Sequence, residues 1–309
     1  MTKRIIIAAL AVFVAGASLS AQTTTEEFKT RYENQVKRVG YSGLGVETIL
    51  DRWEAAFPDD VEMLVGKFNC YLEKSMSTEM VRKDQDRFLG EKPVLSLKDS
   101  LGADVNWFQE TFYDDGLYAR ASQAIDKAIK LCPDRLDLRF GKVTSLIAYE
   151  KEQPDMAALT LSALIDYNGT AHPVWKYGDG DAGKDDFESG IQDYCAAMYA
   201  IGTPSSYASF RSLSEKMLKY SPDSPLFLSN LGTYYFIVLK DNKTATKYYN
   251  KVLKLDPGNY TAIKNLVLMA RHDKNVKLEV KYLPLLIRYG ATDVEKAAAK
   301  ARLDALNRK

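Results

Sequence analysis

Few residues in this 309-residue chain have the type and spacing that chemistry needs. The densest group is Asp179-Gly180-Asp181-Ala182-Gly183-Lys184-Asp185-Asp186. Asp179, Asp181 and Asp185 fall at the first, third and seventh places of a calcium loop, which alternates oxygen ligands around a sharp glycine turn. Lys184 stands where that glycine belongs, Gly183 replaces the acid at the fifth place, and Gly190 replaces the closing bidentate Glu. Two readings follow: a calcium site on Asp179, Asp181 and Asp185, or a solvated acidic turn in which Asp185 or Asp186 caps the next helix. His172 and His272 are the only histidines, and neither has metal-ligand spacing with another His or Cys. Cys70, Cys132 and Cys195 contain no Cys-x-x-Cys pair and read as small buried hydrophobes, an odd count that cannot complete a disulfide framework. Trp175 and Tyr177 lie in the Gly-rich segment 169–184. They are either exposed rings of a binding surface or rings tucked into a neighbouring helix groove. With no nucleophile, base and orienting group in view, a non-enzymatic protein without a cofactor is expected.

The elements that would hold these residues are helical. Apolar residues recur at three- and four-residue intervals over 26–39, 46–56, 61–75, 116–131, 136–150, 155–167, 185–201, 205–220, 225–239, 243–255, 260–271, 276–289 and 294–306. Pro284 should kink or restart the helix it falls in. Two segments break the pattern. One is 78–106, with Pro93 and the alternating Val94-Leu95-Ser96-Leu97; the other is the loop 169–184.

Internal repetition is visible. Phe57-Pro58-Asp59 and Cys132-Pro133-Asp134 open matching stretches, and Gly66-Lys67 and Gly141-Lys142 stand at the same distance after them. Pro222-Asp223 and Pro257 continue the series. Each Pro should end one helix, and the acid beside it can cap the next. Helix pairs of this size cannot bury an apolar face alone, so they must stack into an α-solenoid. The expected pairing joins 46–56 to 61–75, 116–131 to 136–150, and 155–167 to 185–201. The interior Gly232 needs a close neighbour to justify its cost of about 1 kcal/mol in a helix.

The stretch 226–262 resembles the tetratricopeptide repeat, carried by Leu231-Gly232, Tyr235, Ala245, Tyr249, Leu253 and Leu255-Asp256-Pro257. Val252 replaces a small residue of that pattern, and one extra residue lies between Tyr235 and Ala245. The resemblance implies an all-α solenoid of antiparallel helix pairs with two irregular insertions, one domain over 22–309, clearest at 225–258. It also implies ligand-facing positions on the first helix of that unit: Leu226, Ser229, Thr233, Phe236 and Ile237. These are apolar or small and would suit a protein or peptide partner, unless the chain's own later helices cover them.

Residues 1–21 read as a signal peptide, with Lys3 and Arg4, the apolar run 5–15 and small residues up to Ala21. Export to the periplasm or cell envelope is expected, with no membrane span after cleavage. Asp99-Ser100-Leu101, which resembles an O-glycosylation acceptor motif of exported proteins in the Bacteroides group, agrees with that address. Without Lys3 and Arg4 the 42 basic residues become 40 against 41 acidic ones, net −1, which offers no footprint for nucleic acid or anionic membrane. The expected function is a protein-interaction scaffold; the alternative is glycan or nutrient binding through Trp175 and Tyr177.

Overall fold

A computed structural model describes residues 24–178 and 180–308; the expected signal peptide and Asp179 lie outside the described residues. The described chain folds as an α-solenoid. Its helices are α1 Thr25–Val39, α2 Val46–Ala56, α3 Val61–Ser75, α4 Asp115–Leu131, α5 Leu136–Glu150, α6 Asp155–Ala171 and α7 Lys184–Ile201. They continue with α8 Pro204–Tyr220, α9 Pro225–Thr233, α10 Asn242–Leu255, α11 Tyr260–His272, α12 Val276–Tyr289 and α13 Asp293–Asn307. Each helix packs on its sequence neighbour or the one beyond: α1 on α2 and α3, α6 on α5 and α8, α7 on α8 and α9, α9 on α10 and α11. The buried side chains form three clusters in series, spanning Phe28 to Leu138, Leu136 to Tyr234 and Leu228 to Ala299. Leu218 and Tyr235 touch both the second and the third. That is the near-one-dimensional build of a stacked repeat.

The four prolines sit between helices in one repeated corner. The helix closes with Phe57 N–H on Trp53, Cys132 on Ala128, Ser221 on Met217 and Asp256 on Val252, at 2.8, 2.9, 2.8 and 2.8 Å. A turn then follows in which Asp60, Arg135, Ser224 and Asn259 donate to the carbonyls of Phe57, Cys132, Ser221 and Asp256. Proline in the second place of such a turn supplies a ready-made φ. The acid directly after the proline does not cap the next helix, contrary to expectation. The caps are Asp60 and Asn259, two residues after it, accepting from Met63 and Ala262. Asp59 and Asp134 instead pair with Lys127 and Lys176 at 2.9 Å each. The Gly-Lys repeat has a shared use: Lys67 reaches back to Asp51 on α2, and Lys142 to Asp126 on α4.

The pairing differs from the expected one. The units are α1/α2, α3/α4, α5/α6, α7/α8, α9/α10 and α11/α12, with α13 closing the stack on α12. The first irregular segment therefore interrupts a pair rather than separating two. It carries β1 Met76–Lys83, β2 Leu95–Lys98 and β3 Asp104–Tyr113, antiparallel in the order β1-β3-β2, with Met76 opposite Tyr113 and Leu95 opposite Trp107. The alternating piece Leu95-Ser96-Leu97 falls in β2, the shortest of the three strands. β1 begins where α3 ends, and Asp114 N–H closes the base of the insert on the Ser75 carbonyl at 2.8 Å. Asp99-Ser100-Leu101 forms the exposed turn between β2 and β3, with Asp99 accepting from the Leu101 and Ala103 amides.

The extra residue after Tyr235 is absorbed as a π-helical turn over Tyr234–Val238, where Leu239 N–H reaches the Tyr234 carbonyl. Single-turn π-bulges of this kind occur inside α-helices. α12 runs through Pro284 as a single helix, so the expected restart does not occur; buried Tyr282, Leu283 and Leu286 hold both sides of the proline in the core.

Candidate functional site

Five side chains of α9 and its π turn were expected to face a ligand. Packing takes most of them. Ser229 is buried, and Thr233 shares a hydrogen bond of 2.9 Å with the Tyr249 hydroxyl, which also accepts from Asn265. Phe236 packs on the third core cluster. Ile237 is half-buried, and Leu226 is exposed. This face offers single residues rather than a groove.

The second irregular segment contains β4 Trp175–Tyr177 and β5 Gly180–Ala182, an antiparallel hairpin that replaces the proline corner between α6 and α7. Trp175 is not an exposed ring. It is 3 % exposed, stacks on Phe187 with centroids 5.8 Å apart, meets Tyr167 edge-on, and donates its indole N–H to Asn168 at 2.8 Å. Arg139 lies over Trp175 and Tyr167. Lys176 fastens the ribbon to the corner before α5 through the Asp134 carbonyl and carboxylate, both at 2.9 Å. Of the two aromatics only Tyr177, 58 % exposed, faces outward.

The Asp179 to Asp186 segment divides. Asp186 accepts the Gly183 N–H at 2.7 Å and caps α7, as one of the two readings expected. Asp181 is on β5 and Asp185 is exposed in the first turn of α7. Among the described residues no three His, Cys, Asp or Glu side chains are placed to hold a metal ion. His172 closes α6 in a left-handed conformation, φ 46°, and His272 contacts Asp273 at the exposed end of α11. The three cysteines are free thiols. Burial pushes the Cys195 thiol up to about 12.

The hairpin's position exposes a groove that the sequence did not single out. α5 and α7 are first helices of successive pairs and lie side by side. Phe140, Thr144, Ile147 and Ala148 form one stripe of α5; Ser189, Gly190, Asp193, Tyr194 and Ala197 form the facing stripe of α7. Tyr177, Asp181 and Ala182 of the hairpin close one end. The hollow measures about 770 Å³. Its floor depends on Gly190: a Cβ there would meet the Phe140 ring at 2.3 Å, so only glycine lets that ring lie against α7. Tyr194 locks the two helices together, donating to the Phe140 carbonyl at 2.7 Å and meeting the Thr144 hydroxyl at 2.9 Å. Burial pushes the Tyr194 phenol up to about 12, so it stays a neutral donor. The walls are apolar and aromatic, and the rim is acidic at Asp181, Asp186 and Asp193. None of the lining residues is basic. Such a concave apolar surface with a few polar groups is the usual form of a binding site.

No protein-family model matches the chain, and no curated protein sequence matches it. Two solved structures resemble it at low similarity. The assembly chaperone of RpL4 (Acl4), residues 1–338, aligns over 92% of this chain and 98% of that one, with 11% identity and a TM-score of 0.38. The flexible tandem repeat domain of bacterial cellulose synthase aligns over 93% and 98%, with 13% identity and a TM-score of 0.28. The class rests on the chain's own stacked helix pairs: a helical repeat protein with tetratricopeptide-like units and two β insertions.

Proposed function

We propose that the chain is a tetratricopeptide-like interaction module that docks an extended or helical segment of a protein partner, without catalysis, in the groove between α5 and α7. The observation that carries this reading is that the groove is left unfilled. Its lining comes from α5, α7 and the β4–β5 hairpin, while α13 packs on α12. A smaller hollow of about 290 Å³, lined mainly by α1 and α3, gives the first helices of the array a second concavity. Apolar floors beside ordered helix faces suit peptide side chains. The glycan reading retains only Tyr177, because the Trp175 ring is committed to the core. The leader-like residues 1–21 favour a place in the bacterial envelope. No helix among the described residues is long and apolar enough to cross a membrane.

Site-specific photo-crosslinking tests the reading. A benzophenone amino acid at Ser189 lies in the groove; one at the exposed Leu159 lies on α6, outside it. In envelope fractions of the source cells, a discrete, saturable adduct at 189 and none at 159 is the expected result. Equal adducts at both positions would reject the groove as the docking surface.

A further inference from the structure

The charge on the groove names the chemistry of what it holds. Asp181 stands on β5, and Asp186 and Asp193 stand on the α7 stripe. Asp186 is used in part by the Gly183 amide. Asp181 and Asp193 have no hydrogen-bond or ion-pair partner among the described residues. The basic side chains nearest in sequence are engaged elsewhere: Lys176 with Asp134, and Lys184 with Glu188. An acidic or phosphorylated segment would therefore meet uncompensated repulsion at the rim. A neutral apolar segment would fill the floor but leave the carboxylates unanswered.

We infer that the groove selects a protein segment bearing a lysine or arginine next to an apolar or aromatic residue. This rests on the docking reading above. A long basic side chain matches the site along its length. Its methylene stem lies on apolar surface while its charge stays at the wet rim. Here the stem would cover Ile147 and the Phe140 ring, and the cation would reach Asp193 or Asp181. Arginine gains more than lysine, because its planar group also stacks on the ring faces of Tyr177 and Tyr194. The adjacent apolar residue fills the rest of the floor. Rim charges act mainly through encounter rate and specificity, and salt screens them.

Selection from a displayed library of short randomised peptides tests the inference, using three proteins: the unaltered chain, Asp181→Asn/Asp193→Asn, and Ser189→Trp. All three positions are exposed, so each variant should keep the helical circular dichroism of the parent. The unaltered chain should enrich peptides with Lys or Arg beside Leu, Phe or Tyr. The Asn pair should cut their binding about tenfold, the effect of two rim ion pairs at the upper end of their range. Ser189→Trp, which fills the groove without altering charge, should abolish enrichment. Enriched peptides lacking basic residues, or unchanged preference in the Asn pair, would overturn the cation preference while loss in Ser189→Trp kept the groove. No enrichment at all, or enrichment indifferent to Ser189→Trp, would overturn both.

Discussion

The ring of Tyr249 lies flat against the backbone of Gly232, so closely that a Cβ at Gly232 would stand 2.6 Å from the Tyr249 Cε1. Tyr249 is fully buried, and its hydroxyl ties Thr233 to Asn265, joining α9, α10 and α11. Helix propensity alone would favour alanine at 232 by about 1 kcal/mol. Overpacking against a held ring should outweigh that gain, so Gly232→Ala should lower stability by about 1–3 kcal/mol. A urea titration followed by circular dichroism checks the sign.

Glu279 closes the C-terminal end. It is 2 % exposed and accepts from Arg302 on α13 at 2.9 Å and from Arg271 on α11 at 2.8 Å. The Arg302 guanidinium, helped by Arg271 and opposed by burial, holds its carboxyl below the usual glutamate range. A lowered folded pKa means stability that is fully present above the unfolded value, about 4.3, and is lost as pH falls through the folded value. Glu279→Gln should cost about 2–3 kcal/mol at pH 7, since it strips the charge from a buried, doubly paired site. The gap between parent and variant should close on acidification, read from urea midpoints across the acid range.

The β1–β3 insert is held to α5 by one carboxylate. Glu110 on β3 lies between Lys151, at 2.5 Å, and Lys83, at 3.0 Å. Burial pushes its pKa up, but the two lysines outweigh burial and hold it low. Glu110→Gln should loosen the insert while leaving the helix stack intact. Amide hydrogen exchange along Asp104–Tyr113 should speed up by roughly tenfold, the effect of losing about 1.4 kcal/mol of local stability. Exchange in α9 to α13 should not change.

The thiols should differ in reactivity. Cys70 and Cys195 are buried, and burial raises both pKa values, whereas Cys132 is half-buried at the end of α4. A thiol reagent added to the native protein should therefore modify Cys132 first, with the others reacting only on denaturation. Mass spectrometry of the digested adducts identifies the order.

The helices were legible in the sequence because packing repeats leave local marks. Pro58, Pro133, Pro222 and Pro257 fall at matching corners, and Gly66 and Gly232 sit where neighbouring side chains press on the helix backbone. The pairing was not legible. An intact corner between α2 and α3 looks like the turn of a pair, while the true turn between α3 and α4 is hidden by a sheet. The alternation of Asp104–Tyr113, with Asn106, Phe108 and Glu110 on the buried side, was the available sign of that sheet. The groove was less legible still. Phe140 and Tyr194 are far apart in the chain and carry ordinary core patterning, and only the side-by-side placement of α5 and α7 brings them together. Gly190, a second unexplained glycine inside a helix, was the one local hint.

The most direct test of the groove is a methyl nuclear magnetic resonance titration of the protein with a peptide recovered from the selection. The methyl signals of Ile147, Ala148 and Ala197 should move together and saturably, while those of Leu159 on α6 and Leu226 on α9 stay in place. Shifts centred on Leu226, on the β1–β3 sheet, or spread evenly over the surface would contradict the assignment.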